Sequence, residues 1–232
     1  MGAENVWDQG RWRLVRRPSF DFMTRYIAQQ MVAAVSPAGR TFLELGCGTG
    51  RLSRLMLDQG ASHVTMVDSS RRALALARKL FEDVSPSRYD VVESDILEYR
   101  PPQRFDVVFS SGVVEHFDGP QRRGVMQHHL DLCSGDCLII HPTDTLYARW
   151  FSRFPLAVAL YGFQRPFSDE EMTAALGGHA RLLGCSHQRF HVFYTIPALH
   201  NRSILNRAAD MLPVGKELGG LTLTHARVSA PG

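Results

Sequence analysis

Between Thr41 and His141 short apolar runs alternate with amphipathic ones, and that rhythm leaves few folds open. Thr41–Leu45 (TFLEL), His63–Asp68 (HVTMVD), Arg88–Ser94, Phe105–Ser110 (FDVVFS) and Cys137–His141 (CLIIH) read as strands. Arg51–Gln59, the run after Ser69-Ser70 and Pro120–Leu132 have helical spacing, with Ala73, Leu74, Ala77 and Leu80 on one face of the second. Runs such as VVF and LII are apolar on both sides, which suits a parallel sheet covered by helices on both faces. The expected class is α/β, a Rossmann-like doubly wound sheet.

Hydrophobic residues make up 44% of the 232, enough for one sizeable core and too many for a disordered chain. One domain is therefore expected, in four parts. Residues 1–40 form an N-terminal lid around a helix at Phe20–Val35, and 41–141 form the ligand-binding core. Residues 142–167, aromatic-rich and punctuated by Pro142, Pro155 and Pro166, form a cap insertion. Residues 168–232 return to the sheet: a capping box at Ser168–Glu171, a strand over Arg181–Phe193, a helix over Ile204–Leu212, a turn at Gly219-Gly220 and a last strand over Leu221–Val228. Phe154–Phe163, the longest apolar stretch, is far short of the roughly 20 residues of a membrane span. No secretory leader is expected in MGAENVWDQGRWRLVRR, whose charges have no apolar run behind them. Cys47, Cys133, Cys137 and Cys185 form no CxxC pair, which suits reduced thiols in a cytoplasmic protein.

The chemistry begins at Glu44-Leu45-Gly46-Cys47-Gly48-Thr49-Gly50, directly after a strand and before a helix. Glycines there allow a tight turn and a close ligand approach. No GK[ST] follows, so this is not a P-loop, and Arg51 stands where a dinucleotide fingerprint wants its third glycine. A neutral or cationic ligand is expected rather than a pyrophosphate. Asp68 ends the second strand, where an acid can accept both hydroxyls of a ribose, and Asp95 follows the third strand. Features at successive carboxyl ends of parallel strands converge on one crevice.

ELGCGTG, MVDSS, ESDI and FDVVFSSGVVEHF, in this order, resemble class I S-adenosylmethionine-dependent methyltransferases, in particular the small-molecule branch that includes the ubiquinone-biosynthesis O-methyltransferases. The resemblance implies a seven-stranded sheet, mostly parallel with an antiparallel last strand, and S-adenosylmethionine as cofactor. It implies that Gly46, Cys47, Gly48 and Gly50 pass under the methionine moiety with Glu44 supporting the loop. Asp68 and Ser69 would hold the ribose, Asp95 and Ile96 the adenine, and Ser110, Ser111 and Gly112 would line the methionyl end.

Methyl transfer to a hydroxyl also needs a proton acceptor, and histidine suits neutral pH. His116 follows the fourth strand and His141 ends the fifth, so they are the catalytic candidates in that order. Some relatives hold a divalent metal through Glu-x-x-Glu-His; here Gly112 replaces the first carboxylate, and no metal is expected. His128-His129 reads as a surface pair, and His187 and His191 as packing residues on one strand face. Aromatic walls from Trp7, Trp12, Tyr26, Tyr147, Trp150, Phe151, Phe154, Tyr161, Phe163, Phe190, Phe193 and Tyr194 favour an apolar or aromatic small molecule. Arg11, Arg13, Arg16 and Arg17 sit where one could pair with a carboxylate of cofactor or substrate. Two alternatives remain open: a cyclase or lyase that consumes the cofactor itself, and an RNA methyltransferase. A net charge of +3 and the absence of any RNA-binding signature rank the second last, so no nucleic-acid partner is expected.

Overall fold

The structure, a computed structural model, describes residues 19–191, Met211 and residues 220–229. The expected helix at Ile204–Leu212, the Gly219-Gly220 turn, Trp7, Trp12, the arginines at 11, 13, 16 and 17, Phe193 and Tyr194 lie wholly or in part outside these.

Seven strands form one sheet in the order β3-β2-β1-β4-β5-β7-β6. They are β1 (Thr41–Leu45), β2 (His63–Asp68), β3 (Tyr89–Glu93), β4 (Phe105–Ser111), β5 (Cys133–Pro142), β6 (Leu182–His191) and β7 (Gly220–Val228). The five strands up to β5 run parallel. Only β7 is reversed, pairing antiparallel with β5 on one side and β6 on the other. The strand order turns back between β1 and β4, the switch point at which open α/β sheets bind ligands.

The period of two along each strand sorts the core into two layers. Phe42, Val107, Phe109, Leu138 and Ile140 face α1 (Phe22–Ala34), α2 (Arg51–Asp58) and α3 (Arg71–Leu80). Leu43, Leu45, Val108, Cys137 and Ile139 face α4 (Pro120–Leu132) and α7 (Asp169–Leu176). Asp21, Ser70 and Ser168 cap α1, α3 and α7, their side chains accepting from Thr24, Ala73 and Glu171 N–H. The expected strand Cys137–His141 begins earlier, at Cys133, and the expected cap contains two short helices, α5 (Leu146–Phe151) and α6 (Pro155–Tyr161). Among the described residues no helix is long and apolar enough to cross a membrane.

The pair His128-His129 is not on the surface. His129 shares the inner stripe of α4 with Arg122, Val125 and Met126, and it is fully buried. Its Nδ1 lies 2.7 Å from the Val125 carbonyl and its Nε2 2.9 Å from Ser110 Oγ. The carbonyl can only accept, so Nδ1 carries the proton and the Ser110 hydroxyl donates to Nε2. His128 is also buried, with Arg100 Nη1 3.3 Å from its Nε2.

Burial holds His129 and His141 down at about 4 and keeps both rings neutral. An unfolded chain protonates such rings near 6.5, so it binds more protons than the folded protein between about 4 and 6.5. Their contribution to stability is present above that window and lost as pH falls through it. The Glu44 carboxyl, pushed up to about 8 by burial, works in reverse and loses stability as pH rises from 4.5 towards 8. His129→Gln is therefore expected to reduce the fall in melting temperature between pH 6.5 and 4.5 relative to wild type. Parallel melting curves from the two proteins would refute this origin.

Candidate active site

The glycine loop turns back onto the end of β2. Gly46 and Cys47 N–H both donate to the Val67 carbonyl, at 2.8 and 3.0 Å, and Gly48 N–H donates to Asp68 Oδ2 at 2.8 Å. Gly50 N–H goes to the Cys47 carbonyl at 2.9 Å. These donors are spent inside the protein, so the loop is no anion nest. Gly46 has φ +69°, and a Cβ there would sit 2.6 Å from Val113 Cγ2, which fixes the closest approach between this loop and the one after β4. Gly50, also at φ +69°, is the N-cap of α2, and its missing Cβ would meet Met66 Sδ at 2.5 Å.

Glu44 ties the loop down from below. Its Oε2 accepts from the Ser53 hydroxyl at 2.6 Å and from Ser53 N–H at 3.2 Å, joining β1 to the first turn of α2. Asp68, 8% exposed, accepts from Gly48 N–H and, through Oδ1 at 2.8 Å, from Ser70 N–H. Asp95 is exposed and accepts from Leu97 N–H at 2.8 Å beside buried Ile96. Cys47 is buried among apolar neighbours, and burial pushes its thiol well up.

One cavity of about 730 Å3 joins these features. Glu44, Gly46, Cys47, Gly48, Asp68, Ser69, Asp95, Ile96, Ser111, Gly112 and His116 all line it. Gly50, Ser110 and His141 do not, and strand parity explains the last two. On β4, Ser110 points with Val108 towards α4 and His129, whereas Ser111 reaches the cavity. On β5, Ile140 and Pro142 line the cavity, and His141 between them is fully buried on the other face. There it lies 3.1 Å from the Pro142 carbonyl and 3.3 Å from Thr224 Oγ1, edge-on to Phe167. His141 therefore leaves the list of catalytic candidates. Gly50 serves helix–sheet packing instead of ligand contact.

His116 sits on a single 3-10 turn, Val114–His116, packed against the cap segment. Its Nδ1 lies 2.6 Å from the Phe163 carbonyl, which places the proton on Nδ1 and leaves Nε2 as the basic nitrogen of the neutral ring. Arg165 N–H donates to the Glu115 carbonyl at 2.7 Å, and Arg165 Nη1 pairs with Asp118 at 2.9 Å. Below them Arg122, 4% exposed, reaches the Phe117, Arg165 and Pro166 carbonyls at 2.9–3.2 Å and both Glu171 oxygens at 2.8 and 3.0 Å. Its guanidinium carbon lies 3.4 Å from the Phe167 ring centroid.

Several cavity residues escaped the sequence reading. Arg51, the first residue of α2, pairs with the α1 cap Asp21 at 2.9 Å, and both line the cavity. Glu115 lines it as well. The signal for Arg51 was its place directly after the glycine loop; the one for Glu115 was its neighbour His116. Of the named aromatics, Phe151, Tyr161 and Phe163 line the cavity, while Trp150 and Phe154 are largely exposed and Tyr26 and Phe190 pack edge to face in the core. His187 bonds Thr173 and Thr224, a packing arrangement; the His191 side chain lies outside the description. Among the described residues no group of three or more His, Cys, Asp or Glu side chains is arranged to hold a metal ion.

Residues 42–135 match a family model described as "Methyltransferase domain", and this stretch carries the glycine loop, Asp68, Asp95 and the turn at His116. This stretch of the chain is similar to that domain. It is 33% identical over 119 residues to the mitochondrial ubiquinone biosynthesis O-methyltransferase of Schizosaccharomyces pombe, a match covering 50% of this chain and 42% of that one. The corresponding enzyme of Paraburkholderia phytofirmans is 38% identical over 85 residues, 36% of each chain. This chain spans 36–42% of the length of these curated relatives. In fold it is similar to the magnesium protoporphyrin IX methyltransferase of Synechocystis PCC 6803 solved with S-adenosylhomocysteine, at TM-score 0.64 and 15% identity over 94% of this chain and 93% of that one. It is likewise similar to 1,6-didemethyltoxoflavin-N1-methyltransferase of Burkholderia thailandensis, at TM-score 0.61 and 18% identity over 90% and 79%.

Proposed function

We propose that this protein transfers a methyl group from S-adenosylmethionine to an oxygen of an apolar or aromatic small molecule, as a single cytoplasmic methyltransferase domain. The carrying observation is that one cavity is lined by two chemically distinct sets of residues. The glycine loop, Asp68 and Asp95 form one; Ile140, Pro142, Phe151, Tyr161 and Phe163 form the other, with His116 between the sets in sequence and on the same wall as Glu115. Its volume of about 730 Å3 falls in the range of roughly 300–1,000 Å3 typical of small-molecule sites. Free, mostly buried cysteines suit the cytoplasm.

The residues fit the cofactor. Gly46 and Gly48 leave the loop without side chains where a ligand must pass, and Asp68 stands at the strand end suited to a ribose. Asp95 and Ile96 would flank the adenine, and Arg51, held by Asp21, would meet the methionyl carboxylate. Bound there, the cofactor supplies an already activated methyl group, leaving the protein to position an acceptor and exclude water. Phe151 and Tyr161, both partly buried cavity-lining residues, would shield the site, and the His116–Phe163 bond holds the cap segment against the wall. Nε2 of His116 would take the proton of the acceptor hydroxyl.

Cofactor labelled in its methyl group, incubated with a panel of phenols, amines and acids, tests the reading: label in a phenol ether supports it, and label in no acceptor refutes it. With any acceptor found, His116→Ala is expected to lower kcat by about 10²–10⁴-fold, with S-adenosylhomocysteine affinity unchanged by calorimetry. An unaltered kcat would remove His116 from the proton-transfer role.

A further inference from the structure

Glu115 has a feature that methyl transfer through His116 does not use. It is 2% exposed and lines the cavity, and its Oε2 is the one buried side-chain oxygen or nitrogen without a hydrogen-bond partner among the described residues. An orphaned buried polar atom is destabilising, so something that binds here is expected to satisfy it.

Holding the turn does not require this side chain. The turn is closed by His116 N–H to the Val113 carbonyl at 3.1 Å and fastened to the cap segment by Arg165 N–H to the Glu115 carbonyl, all through backbone oxygens. Gly112 lies directly beside the carboxyl, a Cβ built there being 3.7 Å from Glu115 Oε1, and both residues line the cavity. The charged groups near the carboxyl are His116 and Arg122, and Arg122 is engaged with Glu171. The neighbouring wall is apolar: Ile140, Pro142, Phe151 and Phe163.

We propose that the Glu115 carboxyl determines acceptor specificity by taking an O–H or N–H of the acceptor other than the group that is methylated. The acceptor then carries two heteroatoms on an apolar frame, one presented to His116 and one to Glu115, which are consecutive residues on one turn. Burial pushes the Glu115 carboxyl up, which favours pairing with a neutral donor over a permanent cation. This inference rests on the methyl-transfer reading for the role of the pocket, but its test does not need a methyl to move.

Protein saturated with S-adenosylhomocysteine is titrated calorimetrically with the positional isomers of dihydroxybenzene and aminophenol, each against the partner in which the second donor is capped, the methoxyphenol for the diol and the dimethylaminophenol for the aminophenol. At least one donor-bearing isomer is expected to bind about 10-fold tighter than its capped partner, the scale of one buried hydrogen bond. Whether the diol or the aminophenol wins identifies the donor as O–H or N–H. Glu115→Leu, which removes the acceptor atom at similar volume, is expected to bring the ratio close to one. Its melting temperature should match or exceed that of wild type, because the orphaned oxygen is gone. No discrimination by wild type, binding of neither probe, or discrimination surviving in Glu115→Leu would each overturn the proposal. A lower melting temperature with discrimination intact would assign Glu115 to structure instead. Discrimination lost in the variant, with no methyl ever transferred by wild type, would uphold the pocket assignment while the methyl-transfer reading fails.

Discussion

Asp68→Ala is expected to weaken S-adenosylhomocysteine binding by about 10²–10⁴-fold in a calorimetric titration. Two hydrogen bonds to a charged acceptor contribute about 1.5–3 kcal/mol each, roughly 3–6 kcal/mol together. The carboxylate also organises the loop, because Gly48 and Ser70 N–H both lean on it at 2.8 Å. A carboxylate accepts about four hydrogen bonds, so these two duties are compatible. Asp68→Asn separates them in part, since the amide oxygen can keep one backbone partner while losing the charge. Unchanged affinity in the alanine variant would refute the assignment of the whole cofactor half of the cavity.

Arg122→Ala is expected to destabilise the fold by about 3–5 kcal/mol, since it removes several hydrogen bonds to a buried charged group, each contributing about 1.5–3 kcal/mol. The substitution leaves Glu171 with Arg165 at 3.4 Å, removes the donor to three carbonyl oxygens, and empties the space over the Phe167 ring. At roughly 2–4 °C per kcal/mol for a chain of this size, the melting temperature falls by on the order of 10 °C. Lysine at this position is expected to recover little, because a single ammonium cannot serve a planar fork, five acceptors and an aromatic face together. A variant that melts with wild type would show that the cap segment is held by other contacts.

The meeting of the glycine loop, Asp68 and Asp95 at one cavity was largely legible because its information is local. A strand, a glycine turn and a capped helix lie within one short stretch, and each acid stands at the end of its own strand. Facing was less legible. Runs such as VVF and LII are apolar throughout, so periodicity alone does not reveal which side meets α4 and which meets the cavity. Ser110 and His141 were misplaced for that reason, each by one step of the pleat. His129 was readable after all: positions 122, 125, 126 and 129 make one helical stripe, and its mean polarity hid the pattern. The start of β5 escaped because Gly135 and Asp136 interrupt its apolar run. In the fold Gly135 lies against the Asp106 carbonyl and Asp136 pairs with Arg40 at 2.7 Å, and neither partner is near in sequence. The acceptor half depends on such distant meetings, with residues 140, 151, 161 and 163 brought to the turn at 115–116.

The reversed strand β7 has a bearing on how the chain is made. It is the last of the seven in chain order yet lies between β5 and β6, bonded to both. While the polypeptide emerges from the ribosome, β5 has an open edge and β6 has no neighbour until residues 220–228 arrive. Closure of the sheet therefore waits for a contact between segments far apart in the chain, which makes it a late and slow event. A nascent chain stalled before that point would present two bare strand edges at once, an invitation to chaperones and to aggregation alike.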